Sequence, residues 1–220
     1  MVKLGNVLLL GDSYTTFEGH IPEGYAPYYA PKARPEIETD VKLVEQTWWH
    51  QLIDATDSSL ILNCSWSGTT VCNTGYEGRD ASQWSFIARL DQLIEKGFFE
   101  EHKIDTLLIF GGTNDAGAHS PVGQLQYADW TAEDLKSAFP AFCYLLHRTK
   151  TCLPHTRVIC LINPIIRTVF TDGYRAACTH ENIEYLDLVD VDMHNSHPTV
   201  LGMKQIKDQL LAYLEKTERN

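Results

Sequence analysis

The chain has 220 residues, 44% of them hydrophobic and 21% charged, the make-up of one large globular domain and not of a disordered segment. Eighteen Lys and Arg against 29 Asp and Glu leave a formal net charge of −11, which disfavours nonspecific binding to nucleic acid or anionic lipid. No apolar run approaches the roughly 18 residues needed to cross a bilayer, so no membrane span is expected.

The first ten residues resemble a short leader, but their apolar core is too short and no small-residue cleavage site follows. Residues 7–10 read instead as a buried parallel strand that stops at Gly11. Residues 16–40 form a long irregular stretch with Pro22, Pro27, Pro31, Pro35, Tyr25, Tyr28 and Tyr29. A loop of that length in a compact domain usually serves as a lid or a binding loop. The spacing predicts a helix over 41–55, with Val44, Trp48, Leu52 and Ile53 on one face. A second strand is expected at 59–64, and a helix at 81–98 carrying Phe86, Leu90, Leu93 and Ile94. A third buried strand, 106–110, runs into Gly111-Gly112.

Thr131 opens a further predicted helix to about residue 148, with Asp134 placed for a capping box and Pro140 for a bend. A fourth strand follows at 158–162, then a helix at 171–181 and a short strand at 183–186. The last helix is expected over 199–215 with Leu201, Ile206, Leu210 and Leu214 inward. Strand and helix in alternation predict one α/β domain over 1–220, a three-layer α/β/α sandwich with a central parallel sheet. The six cysteines, Cys64, Cys72, Cys143, Cys152, Cys160 and Cys178, include no C-x-x-C pair. Several lie in apolar runs, so reduced structural thiols and a cytoplasmic setting are expected; a leader cleaved upstream would leave no trace.

In such sheets, ligands bind beyond the carboxyl ends of the strands. Those ends carry Gly11-Asp12-Ser13, then Asn63-Cys64-Ser65-Trp66-Ser67-Gly68, then Gly112-Thr113-Asn114-Asp115; Asp190 to Pro198 precede the last helix. A serine, a histidine and fixed donors are the equipment of acyl transfer. The serine hydroxyl attacks once a base takes its proton, and histidine is that base near neutral pH. The oxyanion of the tetrahedral intermediate needs waiting donors, which Asn114 and the N–H groups of Ser13 and Gly68 could supply.

These blocks resemble those of the SGNH (GDSL-type) hydrolases: Gly11-Asp12-Ser13, Gly68, Gly112-Thr113-Asn114-Asp115 and His197-Pro198, with Gly202 five residues after the histidine. The resemblance spans residues 11–202. It implies a flavodoxin-like sandwich and ester hydrolysis without a metal. By resemblance, Ser13 is the nucleophile, His197 the base, and Ser13, Gly68 and Asn114 form the oxyanion hole. The family usually places an Asp three residues before the catalytic His, but residue 194 is His194. Either Asp192, favoured, or Asp190 replaces it, or a backbone carbonyl orients His197 in a Ser–His dyad.

The substrate expected is a small-molecule or carbohydrate ester, above all an O-acetyl group, because aromatic faces suit sugar rings. Tyr25, Tyr28, Tyr29 and Tyr76 motivate that reading, and Tyr14, Trp66 and His194 are candidate substrate contacts. The alternatives are a lipase, lysophospholipase or thioesterase with the same machinery, or a non-catalytic binding module on the same fold. No cofactor is expected: neither dinucleotide nor phosphate-loop glycine motif occurs. His194 and His197 lack an evident third ligand, so no metal is expected either.

Overall fold

Each apolar run becomes a strand of one parallel sheet in the computed structural model, which describes residues 2–163 and 165–218. Met1, Pro164, Arg219 and Asn220 lie outside the described residues, so the expected 1–220 extent of the domain is seen without them. The strands are β1 (Asn6–Gly11), β2 (Ser59–Asn63), β3 (Thr106–Phe110), β4 (Arg157–Ile162) and β5 (Glu184–Asp187). They lie in the order β2-β1-β3-β4-β5, and all four pairings are parallel. This is the flavodoxin-like strand order, whose crevice opens between β1 and β3, where the direction of winding reverses.

Strand alternation divides the core in two. Leu8, Leu10, Leu107, Ile109, Cys160 and Ile162 join one apolar layer, packed on α2 (Phe86–Glu95), α5 (Ala138–Cys152) and α6 (Thr168–Glu181). Val7, Leu9, Leu108, Phe110, Ile159 and Leu161 join the other, with Trp48 and Leu52 of α1 (Trp48–Ala55) and the inner face of α7 (Val200–Thr217). Strands buried on both faces need continuous apolar sequence, which is why these were the most legible elements. The inner face of α7 is Met203, Ile206, Leu210 and Leu214, all fully buried. Leu201, expected inward, is 55% exposed because it falls off that stripe.

Helix starts differ from the expected ones where a polar cap interrupts an apolar pattern. The 41–55 helix splits into a 3-10 turn, Val44–Gln46, and α1, because extended Thr47 caps α1 by accepting the His50 N–H. Ser85 likewise delays α2 to Phe86, and left-handed Gly97 separates it from α3 (Phe98–Glu101). The Thr131–Asp134 capping box does form, with Thr131 N–H to Asp134 at 2.8 Å and Asp134 N–H to Thr131 at 3.3 Å. It opens only a 3-10 turn, Asp134–Lys136. Helix α5 begins after Ser137, so Pro140 sits in its first turn, where a missing N–H costs nothing. The small elements not foreseen include the 3-10 turn Tyr76–Gly78, α4 (Thr113–Gly117) and the hairpin β6 (Met193–His194) with β7 (His197–Pro198).

Residues 18–40 are irregular, but the loop is not simply a lid. Phe17, Tyr29 and Ala30 are buried, and the Glu18 N–H donates to the Tyr29 carbonyl at 2.9 Å. All six cysteines are free, five of them buried. Among the described residues no helix is long and apolar enough to cross a membrane.

Candidate active site

Just past β1 the Asp12 carboxylate accepts the Tyr14 N–H at 3.1 Å, and its carbonyl accepts the Thr15 N–H at 3.1 Å. This side-chain-stabilised turn leaves Ser13 at its tip. Beyond β3, Gly112 has φ +91°, and a Cβ there would lie 2.3 Å from the Tyr174 ring. Only glycine permits that corner, which starts α4 and presents Asn114. The β6–β7 hairpin is closed by Asn195 (φ 48°) and Ser196 (φ 60°). Two successive left-handed residues make a type I′ turn, whose twist suits a tight hairpin. Such a turn is strained for Ser196, at a cost of about 1–2 kcal/mol.

These three corners bring Ser13 and His197 together from 184 residues apart, with Ser13 Oγ 2.9 Å from His197 Nε2. The other ring nitrogen, Nδ1, lies 2.9 Å from the Asn195 carbonyl. A carbonyl only accepts, so Nδ1 carries the proton and Nε2 presents its lone pair to the Ser13 hydroxyl. A hydroxyl aimed at a base is a candidate nucleophile.

The expected Asp192–His197 contact is not formed. The Asp192 carboxylate accepts the Thr199 hydroxyl, its carbonyl accepts the Thr199 N–H at 3.1 Å, and its N–H donates to Gln205 at 2.7 Å. Asp192 therefore fastens the start of α7. Gly202 fits against it so closely that a Cβ would lie 2.1 Å from the Asp192 carbonyl oxygen. Asp190 stands in an exposed left-handed turn. The hairpin turn supplies a nearer acceptor, and of the alternatives open in the sequence the structure forms the carbonyl one. Asp192→Asn is accordingly expected to keep kcat within about tenfold of the parent, not to lose the 10⁴ or so that a triad acid would cost. Turnover of an acetyl ester at saturation checks this, and a loss of thousandfold or more would restore the carboxylate.

Ser13, Tyr28, Tyr76, Asn114, Ile165 and His197 line a cavity of about 580 Å³. Tyr14 also faces it, edge-on to His197 with centroids 5.3 Å apart, and donates its hydroxyl to the Ser196 carbonyl at 2.6 Å. Two candidate contacts lie elsewhere. His194 is half exposed across the hairpin from His197, 3.6 Å from Glu38, and Trp66 stacks on Tyr25 at 4.3 Å, outside the lining.

Gly68, at φ +77°, borders the cavity. Among the described residues its N–H and that of Ser13 have no protein acceptor. The Asn114 amide donates to the Thr69 carbonyl at 3.0 Å, and its oxygen accepts the Tyr76 hydroxyl at 3.0 Å. Its second N–H has only a long contact, 3.4 Å, to Asp12. Asp115 holds the neighbouring loop, accepting the N–H groups of Val71 at 2.8 Å and Cys72 at 3.1 Å.

Burial sets the electrostatics. It pushes the Asp12 carboxyl up to about 7, against the opposing pull of the Tyr14 N–H and the Arg89 guanidinium. Burial lowers His197 from its ordinary value, and the Asn195 carbonyl, which favours the protonated ring, offsets part of that. Arg89 was not foreseen. Fully buried, it donates to the carbonyls of Gly11 at 3.1 Å, Trp84 at 3.1 Å and Cys64, and to the Thr69 hydroxyl at 3.0 Å. Its signal was present: residue 89 lies on the apolar stripe of Phe86, Leu90 and Leu93, where a cation needs a reason.

The family model GDSL-like Lipase/Acylhydrolase matches residues 5–214. A candidate GDSL-like lipase from Bacteroides ovatus superposes with a TM-score of 0.90 at 40% identity, over 97% of this chain and 99% of its own. Another from Bacteroides uniformis gives 0.90 and 40%, over 96% of each chain. An acetyl xylan esterase from Butyrivibrio proteoclasticus shares the fold, with a TM-score of 0.61 at 14% identity, over 99% of this chain and 64% of its own. No curated protein matches the chain.

Proposed function

The chain belongs to the GDSL-like lipase/acylhydrolase family, a hydrolase of esterase or lipase type, and from that premise we propose a serine esterase that removes small acyl groups, chiefly O-acetyl, from a carbohydrate alcohol. The 2.9 Å bond from Ser13 to His197 at the cavity wall carries this reading. His197 Nε2 takes the Ser13 proton as Oγ bonds to the ester carbonyl carbon. The Ser13 and Gly68 N–H groups and the Asn114 amide receive the oxyanion. The imidazolium returns its proton to the alkoxide, the alcohol leaves, and the acyl group stays on Ser13. Water then repeats the sequence, giving up a proton to His197 and releasing the carboxylic acid.

The acyl and alcohol preferences rest on the lining. Tyr28 and Tyr76 present the aromatic surface that suits a sugar ring, and a protein of this fold from Butyrivibrio proteoclasticus is an acetyl xylan esterase. One observation favours a longer acyl chain instead: Ile165, 50% exposed, and Ile166 make one cavity wall apolar. Para-nitrophenyl esters from acetate to dodecanoate, run beside acetylated sugars, separate the two. The expected optimum of kcat/KM is at acetate or propionate; an optimum at octanoate or beyond would make it a lipase or thioesterase.

The pH profile is a further expected result. His197 must be neutral to accept the Ser13 proton, so activity falls as pH drops through its pKa. Burial lowers that pKa, so neutral imidazole persists below its ordinary value of about 6.5. The acidic limb of kcat/KM should therefore lie below about 6.5. A carboxylate on Nδ1 would stabilise the cation and move the limb up. A limb above about 7 would contradict the carbonyl-held ring.

A further inference from the structure

The long loop sends one side chain onto the base. The Tyr28 ring lies face to face with the His197 imidazole, centroids 3.4 Å apart and planes 4° from parallel. We propose that Tyr28 is a positioning residue for His197, which fixes the imidazole plane and steadies its cationic form in place of a carboxylate; this rests on the esterase reading.

His197 has one neutral partner on Nδ1, the Asn195 carbonyl. A single hydrogen bond to a turn carbonyl leaves the ring free to rock about its own axis, and it places no charge beside the imidazolium. The stack supplies both missing functions. Tyr28 covers one face while Tyr14 approaches edge-on at 71°, so the ring is held between a face and an edge. The face of an aromatic ring is the negative pole of its quadrupole and attracts a cation. The groups facing His197 are Ser13, Tyr14, Tyr28 and Tyr29, and burial raises all three phenols above their ordinary range, leaving them neutral. Among the described residues His197 has no carboxylate partner.

The loop is built to hold Tyr28 there. The Tyr28 N–H donates to the Thr16 hydroxyl oxygen at 2.8 Å, and that hydroxyl donates to the Ser13 carbonyl at 3.0 Å. The next residue, Tyr29, is buried and donates its hydroxyl to the Pro198 carbonyl at 2.8 Å. One strap therefore joins the nucleophile's turn, the stacked ring and the backbone beside the base.

The test compares Tyr28→Phe, Tyr28→Leu and Thr16→Val in the full chain on para-nitrophenyl acetate. Imidazole nitrogen NMR of each variant reads the tautomer. Tyr28→Phe keeps the face and should stay within about threefold of the parent. Tyr28→Leu should lose about tenfold in kcat with KM within about twofold, the scale of one desolvated cation–aromatic contact. Its imidazole should relax from the Nδ1-protonated form toward a mixture. A loss confined to KM, an equal loss in Tyr28→Phe, or an unchanged tautomer in folded Tyr28→Leu would each overturn the proposal. If Tyr28→Leu does not fold, Thr16→Val must show the same signs at smaller size, and a folded Thr16→Val with parental kcat and tautomer overturns it. If the parent hydrolyses no ester the esterase reading fails, and the tautomer populations still decide the role of Tyr28.

Discussion

Ser13→Ala is expected to remove about 10⁴- to 10⁶-fold of kcat while leaving the folded chain close to parental stability. The hydroxyl lies at the tip of a turn, and its bond is to His197 Nε2. The Asp12 contacts that hold the turn use the backbone N–H groups of Tyr14 and Thr15, which alanine at residue 13 leaves in place. Losing one hydrogen bond at a cavity wall should cost about 1 kcal/mol. His197→Ala should be as severe, because the acceptor itself is gone. The measurements are turnover of para-nitrophenyl acetate and a thermal melt for each variant. Parental turnover in folded Ser13→Ala would remove the mechanism altogether.

Asn114→Ala should lower kcat by about 100- to 1000-fold, the usual consequence of deleting one donor to a developing oxyanion. KM should change little, since that bond strengthens mainly in the transition state. The Tyr76 hydroxyl makes the effect specific to geometry, because by donating to the amide oxygen it fixes which end of the Asn114 amide is the donor. Some stability will go as well: the Thr69 carbonyl loses its donor and the buried Asp12 carboxyl a weak one. Steady-state kinetics at a temperature well below the melt separate the two losses. An unchanged kcat with a raised KM would recast Asn114 as a ground-state contact.

What was legible in the sequence had a periodic or punctuated cause. The strands that abut the site, β1 and β3, are apolar runs ended by glycine, so they could be read to within a residue or two. Ser13, Asn114 and His197 could be singled out because each follows a strand or precedes the last helix. Helix starts at Thr47, Ser85 and Ser137 could not, because an apolar stripe continues across them and only the cap geometry breaks it. The partner of His197 was hidden for a different reason. Its acceptor is a main-chain carbonyl, which every residue has, and only the two left-handed residues of the hairpin turn aim it. Asp192 was attractive as the nearest carboxylate in the chain, but sequence distance says nothing of direction, and its carboxylate faces Thr199.

The buried guanidinium has a consequence for how the molecule breathes. Arg89 is held by carbonyls at the ends of β1 and β2 and by the hydroxyl beside Gly68. No carboxylate pairs with it, among the described residues, in a bonded salt bridge. If any one of these segments swung out alone, a full positive charge would be left in an apolar layer with too few acceptors, a state costing several kcal/mol. Small local openings around the cavity floor are thereby suppressed, and the segment 64–70 can come apart only when the sheet does. The amide protons of Cys64 and Trp66, bonded to the Leu9 and Gly11 carbonyls, should exchange with solvent at rates close to those set by global unfolding, and the pocket should keep its shape whether or not an ester is bound.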